Sequence, residues 1–290
     1  MRFAIFSDIH SNLEALEAVM ADARQRRCTD FVCLGDIVGY NANPGECIQL
    51  IRELESPVVK GNHDEQATIP ASSERFNELA ERAIEWTRER LNEQDMKWLG
   101  SLPLQQRVHD FTIVHATLDT PGQWGYVFNN LDAVASFTYQ RTPVCFFGHT
   151  HVPMVFVRDE GVRRETSEHI RIELGKKYFI NPGSVGQPRD GNWRAGYCIY
   201  DIENNLVELL RIKYDLSTAQ KKITKAGLPR LLRAPCNGTL RAVNPRRPPS
   251  DAHNHSSTQR SHLHALLLAR YRGWFTRCRR INSAIGKSCG

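Results

Sequence analysis

Five short apolar runs of this chain each end on side chains that bind protons or metals, and this arrangement constrains the fold more than any other feature. The run at residues 3–7 leads into Asp8 and His10, and the run at 31–35 into Asp36. Residues 57–61 lead into Asn62, His63 and Asp64, residues 111–114 into His115, and residues 144–148 into His149 and His151. Open α/β sheets gather ligands at the carboxyl ends of their strands, so five such ends predict one shared site. In three of the five, a glycine (Gly35, Gly61 or Gly148) stands directly before the polar residue and lets backbone and ions approach closely.

Spacing alone carries little. H-x-H recurs at His253/His255 and His262/His264, and Asp251-Ala252-His253-Asn254-His255 even repeats D-x-H-x-H with no strand pattern before it. A lone Asp8 or Asp36 reads as a turn or helix cap, and a lone His115 as a hydrogen-bonded core histidine. Only the joint placement at strand ends points to a site. The set comprises two aspartates, one asparagine and four histidines, with His63 left over. Mixed nitrogen and oxygen donors without thiolate suit Mn²⁺, Fe, Zn²⁺ or Ni²⁺ better than Ca²⁺. Seven donors are too many for one ion and sufficient for two if a carboxylate bridges. Ions about 3.5–4 Å apart serve in-line displacement at phosphorus.

The surrounding pattern is that of an α/β protein. Ser11-Asn12-Leu13-Glu14 predicts a capping box opening a helix with Leu13, Leu16, Met20 and Ala23 on one stripe. Asn43-Pro44-Gly45-Glu46 predicts a second helix start. A third strand is expected at 57–59 and a long helix at 73–91. From Met154 onward strands follow one another at 154–158, 170–174, 178–180, 196–200 and 207–212, which predicts a mostly antiparallel second sheet, closed by a helix at 217–225.

The net charge of +6 hides an asymmetry. Residues 227–290 hold 12 of the 38 Lys/Arg and one of the 32 acids, Asp251, for a net of +11. Residues 1–226 therefore carry 26 against 31, a net of −5. The expected organisation is a domain over 1–226 and a basic, disordered tail over 227–290 in which 263–275 has the pattern of a basic amphipathic helix. The abrupt change near Leu228-Pro229-Arg230 is also what a shifted reading frame would produce. The tail is only a weak indication of nucleic-acid binding. No run is long enough to span a membrane, and the N-terminus reaches Asp8 too early for a signal peptide. Eight cysteines without a C-x-x-C pair, with Cys33, Cys145 and Cys198 in apolar runs, point to buried free thiols in a reducing cytoplasm.

The series D-x-H (Asp8, His10), G-D (Gly35, Asp36), G-N-H-D (Gly61 to Asp64), His115 and G-H-T-H (Gly148 to His151) resembles the calcineurin-like metallophosphoesterase superfamily over roughly residues 1–215, and within it the small prokaryotic phosphoesterases. The resemblance implies a four-layer α/β/β/α sandwich of two packed mixed sheets flanked by helices. It implies one metal on Asp8, His10 and His151, a second on Asn62, His115 and His149, and Asp36 as the bridge. The implied cofactors are two divalent transition ions, manganese foremost, with iron, zinc or nickel as alternatives. His63 would protonate the leaving oxygen, and a metal-bridging hydroxide would attack a small phosphate-ester or nucleotide substrate. Monoester, diester, dinucleotide polyphosphate and nucleic-acid end all remain open.

The family's protein phosphatases continue the second motif as G-D-x-V-D-R-G, whereas this chain reads Gly35-Asp36-Ile37-Val38-Gly39-Tyr40. The Asp that orients the catalytic His and the Arg that grips phosphate are missing, which argues against a protein phosphatase. Relatives such as the retromer subunit lack the catalytic His and act as scaffolds. This chain keeps His63, and a scaffold is the alternative to an enzyme. The loop at 181–189 resembles one in such relatives: Ser184 and Arg189 either contact substrate or belong to a turn beneath the site. Tyr40, Trp124, Tyr126 and Trp193 either line a nucleobase pocket or are ordinary aromatics.

Overall fold

Alternate residues of β1 (Arg2–Phe6) point to opposite faces, Phe3 and Ile5 into one core and Ala4 and Phe6 into another, as a strand covered on both sides requires. The structure, a computed structural model, describes residues 1–69 and 78–229. β1 pairs in parallel with β2 (Asp30–Cys33) and antiparallel with β10 (Ala195–Asp201). β11 (Leu206–Ile212) and β8 (His169–Arg171) complete this sheet in the order β2-β1-β10-β11-β8. The second sheet holds β3 (Gln105–Val108), β4 (Phe111–Val114), β5 (Val144–Phe146), β9 (Lys177–Asn181), β6 (Met154–Arg158) and β7 (Val162–Glu165), in that order. Its inner strands β4, β5 and β9 run parallel.

The sheets pack face to face. Phe3, Ile5, Val32 and Tyr200 from one meet Phe111, Ile113, Phe146 and Ile180 from the other, each fully buried apolar side chain contributing roughly 1.5–3 kcal/mol. Outside the first sheet, α1 (Leu13–Gln25) and α2 (Pro44–Glu53) set Leu16, Val19, Ile48 and Ile51 against Ala4, Phe6 and Tyr197. Outside the second, α6 (Asn130–Tyr139) sets Ala133 and Phe137 against Cys145, Phe147 and Phe179. The layers are helix, sheet, sheet, helix, as expected. The remaining helices are α3 (Asn62–Thr68), α4 (Glu78–Arg88), α5 (Glu93–Ser101) and α7 (Leu216–Lys225). Among the described residues no helix is long and apolar enough to cross a membrane.

Several local expectations need correction. The late strands do not form one sheet: β6, β7 and β9 join β3–β5, while β8, β10 and β11 join β1 and β2. Their alternation reports one covered face per strand and does not say which sheet supplies the cover. Ser11 does not cap α1. Its backbone is left-handed (φ 57°), and Asn12 accepts the Ala15 amide instead at 3.2 Å. The strand expected at 57–59 is only a bridge between Cys33 and Val58. G-N-H-D opens a helix, α3, that was not foreseen. The helix at 73–91 is seen as α4, with Ala80, Ala83, Ile84 and Thr87 buried, and 70–77 lie outside the described residues. So do 230–290, including the tail and its 263–275 pattern. The helices α5 and α6 were likewise unforeseen, although Asn92 and Asn129 cap them with side-chain bonds. Cys33, Cys145 and Cys198 are buried free thiols.

Candidate metal centre

Where β1 and β2 stop pairing, their loops continue to pair. Asp8 N–H donates to Gly35 O (3.0 Å), His10 N–H to Asp36 O (2.9 Å) and Ser11 N–H to Ile37 O (2.8 Å). In the other sheet Gly148 N–H donates to His115 O at 2.8 Å. The two sets of loops meet at Gly148, and Gly61 lets the G-N-H-D segment close on Asp36 beside the first sheet. A Cβ on Gly148 would overlap Ser7 Oγ and come within 2.8 Å of Asp8 Oδ2, and one on Gly61 would overlap Asp36 Oδ1. His149 N–H then reaches both Asp8 oxygens at 3.2 Å. The cluster is thus assembled from the ends of both sheets, and Gly148 is there to let them touch.

Five of the candidate residues have left-handed backbones: Asp8 (φ 54°), His10 (49°), Asp36 (53°), His149 (67°) and His151 (59°). Each costs on the order of 1–3 kcal/mol and persists only where surroundings over-determine it. Such strain concentrates at functional sites.

Backbone carbonyls orient the four imidazoles. His10 Nδ1 faces Val38 O (3.0 Å), His115 Nδ1 faces Leu34 O (2.8 Å) and His151 Nδ1 faces Gln187 O (2.6 Å). A carbonyl only accepts, so Nδ1 carries the proton in these three and Nε2 offers a lone pair to the cluster. His149 is reversed: its Nε2 donates to Trp124 O at 2.9 Å, leaving Nδ1 as the donor atom toward a cation. The Nε2 atoms of His10 and His151 lie 3.1 Å apart. With both Nδ1 atoms protonated, two lone pairs converge and cannot satisfy each other. A cation satisfies both.

Asp36 is central. Its Oδ1 accepts the His63 amide at 2.8 Å, while its Oδ2 is buried without a hydrogen-bond partner. Oδ2 lies 3.5 Å from His10 Nε2 and 3.4 Å from His115 Nε2. Two groups of potential ligands share it: Asp8, His10, Asp36 and His151, and Asp36, His115 and His149. Asn62 Oδ1 joins the second through His115 Nε2 at 3.2 Å. A buried carboxylate oxygen without a donor is costly, so this donor set fits divalent cations on both sides of Asp36. All seven residues singled out in the sequence are therefore brought together.

The electrostatics of the chain alone follow from burial. Burial drives His10 and His151 well below the ordinary imidazole range and His149 down to about 3, so all three stay neutral at pH 7. Burial also opposes charge on His115, but Asp36 outweighs it and lifts His115 to about 9. The Asp36 carboxyl, which burial alone would raise, is held well below its usual range, chiefly by His115 and His63. Burial, with Asp36 adding, pushes Asp8 up to about 7.

His63 opens α3 beside the cluster. Its ring packs against His10 (centroids 4.7 Å apart) and Tyr40 (4.6 Å), and burial lowers it to about 4. Asp64 does not orient it. The Asp64 oxygens take the amides of Ile37 (2.8 Å), Val38 (3.2 Å) and Gly61 (3.0 Å), stapling the Asp36 loop to the helix.

The loop at 181–189 divides. Ser184 is buried, with its hydroxyl on Asp8 O at 2.8 Å, and packs beneath the site. Arg189 reaches the hydroxyl of Tyr40 at 3.3 Å. Tyr126 stacks on His149 (4.1 Å, 19°) and Phe128 stacks on Tyr126 (5.5 Å, 12°). Trp124 contributes its carbonyl to His149 and its indole N–H to Glu65 (3.1 Å), whereas Trp193 packs on Tyr214. The orienting carbonyls of Val38, Leu34, Trp124 and Gln187 were not foreseen, because any residue type supplies one.

A profile of the calcineurin-like phosphoesterase superfamily domain matches residues 1–205. An uncharacterized protein of Methanocaldococcus jannaschii is 43% identical over 234 residues, which cover 79% of this chain and 94% of that protein. The crystal structure of a metallophosphoesterase from Sphaerobacter thermophilus is 39% identical with a TM-score of 0.73, covering 82% of this chain and 99% of its own. A hypothetical protein from Pyrococcus horikoshii shares the fold at 17% identity and a TM-score of 0.68, over 82% of this chain and 98% of that one. With two sheets meeting at a buried Asp/His cluster and a family profile running from the first residue to the last sheet, this chain belongs to the calcineurin-like phosphoesterase superfamily.

Proposed function

We propose that this chain is a metal-dependent phosphoric ester hydrolase, acting on phosphate mono- or diesters with two divalent ions. Asp8, His10 and His151 would hold one ion, Asn62, His115 and His149 the other, with Asp36 shared. The observation that carries this is the position of Asp36 Oδ2, buried and partnerless between His10 Nε2 and His115 Nε2. The nitrogen and oxygen donors suit manganese, iron, zinc or nickel better than calcium, and the family resemblance puts manganese first. What such ions supply when bound is water that ionises near neutral pH and an offset for phosphoryl charge.

The chain's own part is to hold the donors, exclude water and move a proton. His63 is assigned the general-acid role. In the chain alone it is neutral, with a pKa of about 4. The negative charge of a bound phosphoryl group would favour its protonated form, so that the proton is present when the leaving oxygen needs it. The buried free thiols Cys28, Cys33, Cys47, Cys145 and Cys198 support a cytoplasmic location.

The test is a substrate panel on metal-reconstituted protein: p-nitrophenyl phosphate, bis-p-nitrophenyl phosphate, cyclic nucleotides, dinucleoside polyphosphates and short DNA. Turnover of at least one class that depends on added Mn²⁺ is expected. No turnover with Mn²⁺, Ni²⁺, Fe²⁺, Zn²⁺ or Mg²⁺ would overturn the assignment and favour a scaffold.

A further inference from the structure

The second motif places Tyr40 where the family's protein phosphatases have the phosphate-gripping Arg. A guanidinium nonetheless reaches this position, from another loop. Arg189 N–H donates to His151 O at 3.2 Å, which ties its backbone to a candidate ligand. Its side chain donates to Gln187 Oε1 (2.8 Å) and Tyr40 OH (3.3 Å), lies 5.7 Å from the Tyr40 ring centroid, and lies beside Tyr126. The two tyrosines cover opposite halves of the cluster. Tyr40 packs on His10 (4.7 Å) and His63 (4.6 Å), and Tyr126 on His149 (4.1 Å). Gln187 and Tyr40 orient the guanidinium through these bonds. Burial is the main cause that lowers the proton affinity of His10, His63, His149 and His151, and the Arg189 charge adds to it in each.

We propose that Arg189, flanked by the hydroxyls of Tyr40 and Tyr126, grips the substrate phosphoryl group and selects phosphate monoesters and terminal phosphates over diesters. This rests on the phosphoesterase assignment above. A diester has two non-bridging oxygens and one negative charge. A monoester has three such oxygens and close to two charges at neutral pH. A cation pair centred on Asp36 can take two oxygens, so a third needs a donor from the chain. A planar guanidinium fork matches phosphoryl oxygens with two parallel N–H bonds, and the phenols add further donors.

Inorganic phosphate is titrated by calorimetry into manganese-loaded wild type, Arg189→Gln and Tyr126→Phe. Arg189→Gln should weaken phosphate binding by about 10- to 100-fold, the size expected for a lost charge-assisted bond, and Tyr126→Phe by less. In steady state Arg189→Gln should raise KM for p-nitrophenyl phosphate by a similar factor, and affect bis-p-nitrophenyl phosphate less. Unchanged phosphate affinity in Arg189→Gln would overturn the proposal. An equal loss on both esters would also overturn it, because a mere strut of the 187–189 segment does not discriminate. If wild type turns over neither ester nor any other member of the substrate panel, the hydrolase assignment fails while the phosphate titration still decides on Arg189. Should Arg189→Gln lose its fold or metal, Arg189→Lys replaces it: that variant keeps the charge without the fork and should bind phosphate more weakly than wild type. Unaltered binding there counts against the grip.

Discussion

The amide of His63 donates to Asp36 Oδ1 at 2.8 Å, so the helix that carries His63 also holds the carboxylate whose other oxygen faces both halves of the cluster. One residue thereby couples the proposed acid to the proposed metals. Asp36→Asn should reduce metal content toward zero, because both ions depend on it. His151→Ala should cost one ion only. Elemental analysis of purified variants checks this, and an Asp36→Asn protein with two ions and full turnover would remove the bridge from the scheme.

His63→Ala should keep both ions and lose rate by about 10²–10⁴, the range for a general acid. The loss should be larger for poor leaving groups than for p-nitrophenolate, which scarcely needs a proton. Comparing alkyl and p-nitrophenyl esters separates the two possibilities. Equal losses would point to a positioning role of the imidazole, since the backbone amide that holds Asp36 is unchanged in the alanine variant.

The cap of α1 can be tested by stability alone. Asn12→Ala removes the bond to Ala15 N and the one to Gly186 O (3.1 Å), and should cost about 1–2 kcal/mol. Ser11→Ala should stay within roughly 0.5 kcal/mol, since Ser11 Oγ is buried without a partner. Urea unfolding midpoints decide. The reverse order would restore Ser11 as the cap.

Gly148→Ala should weaken both fold and site. Its Cβ would overlap Ser7 Oγ where the loops of the two sheets touch, and overpacking of this kind costs about 1–3 kcal/mol. A lower unfolding midpoint together with reduced metal content is expected. A variant as stable and as metal-replete as wild type would mean the loops separate at little cost.

Truncation locates the end of the domain. Leu228 is buried with Tyr40, Ala80, Ala83 and Ile223, so chains ending after Pro229 should keep metal content and small-ester turnover. Chains ending after Gly227 lose that side chain and should be less stable by about 1.5–3 kcal/mol. Any salt-sensitive retention on DNA should disappear in both, because the +11 segment is removed. Loss of turnover in the longer chain would assign the tail to the catalytic unit.

The residues able to chelate were readable from sequence because each ends an apolar run. That is a local signal: a strand pattern, often a glycine, then an Asp, Asn or His. The alternation likewise sufficed for the α/β class, whereas the four layers were expected only from the resemblance of the motifs to the calcineurin-like superfamily. The atoms those residues present depended on distant partners. The carbonyls that set the tautomers belong to residues 28 positions from His10, 81 from His115, 25 from His149 and 36 from His151. Every residue carries a carbonyl, so sequence marks none of them. Assignment of the late strands to two sheets was hidden for a related reason, since alternation records that a face is covered and not by what. The sequence pointed to a capping box begun by Ser11, and only pairing of the 8–11 and 35–37 loops turned Ser11 into the left-handed region. Arg189 entered the site because the same loop that buries Ser184 also ties its backbone to His151. Residue type is written in the chain, whereas approach and orientation come from the packing of segments far apart in it.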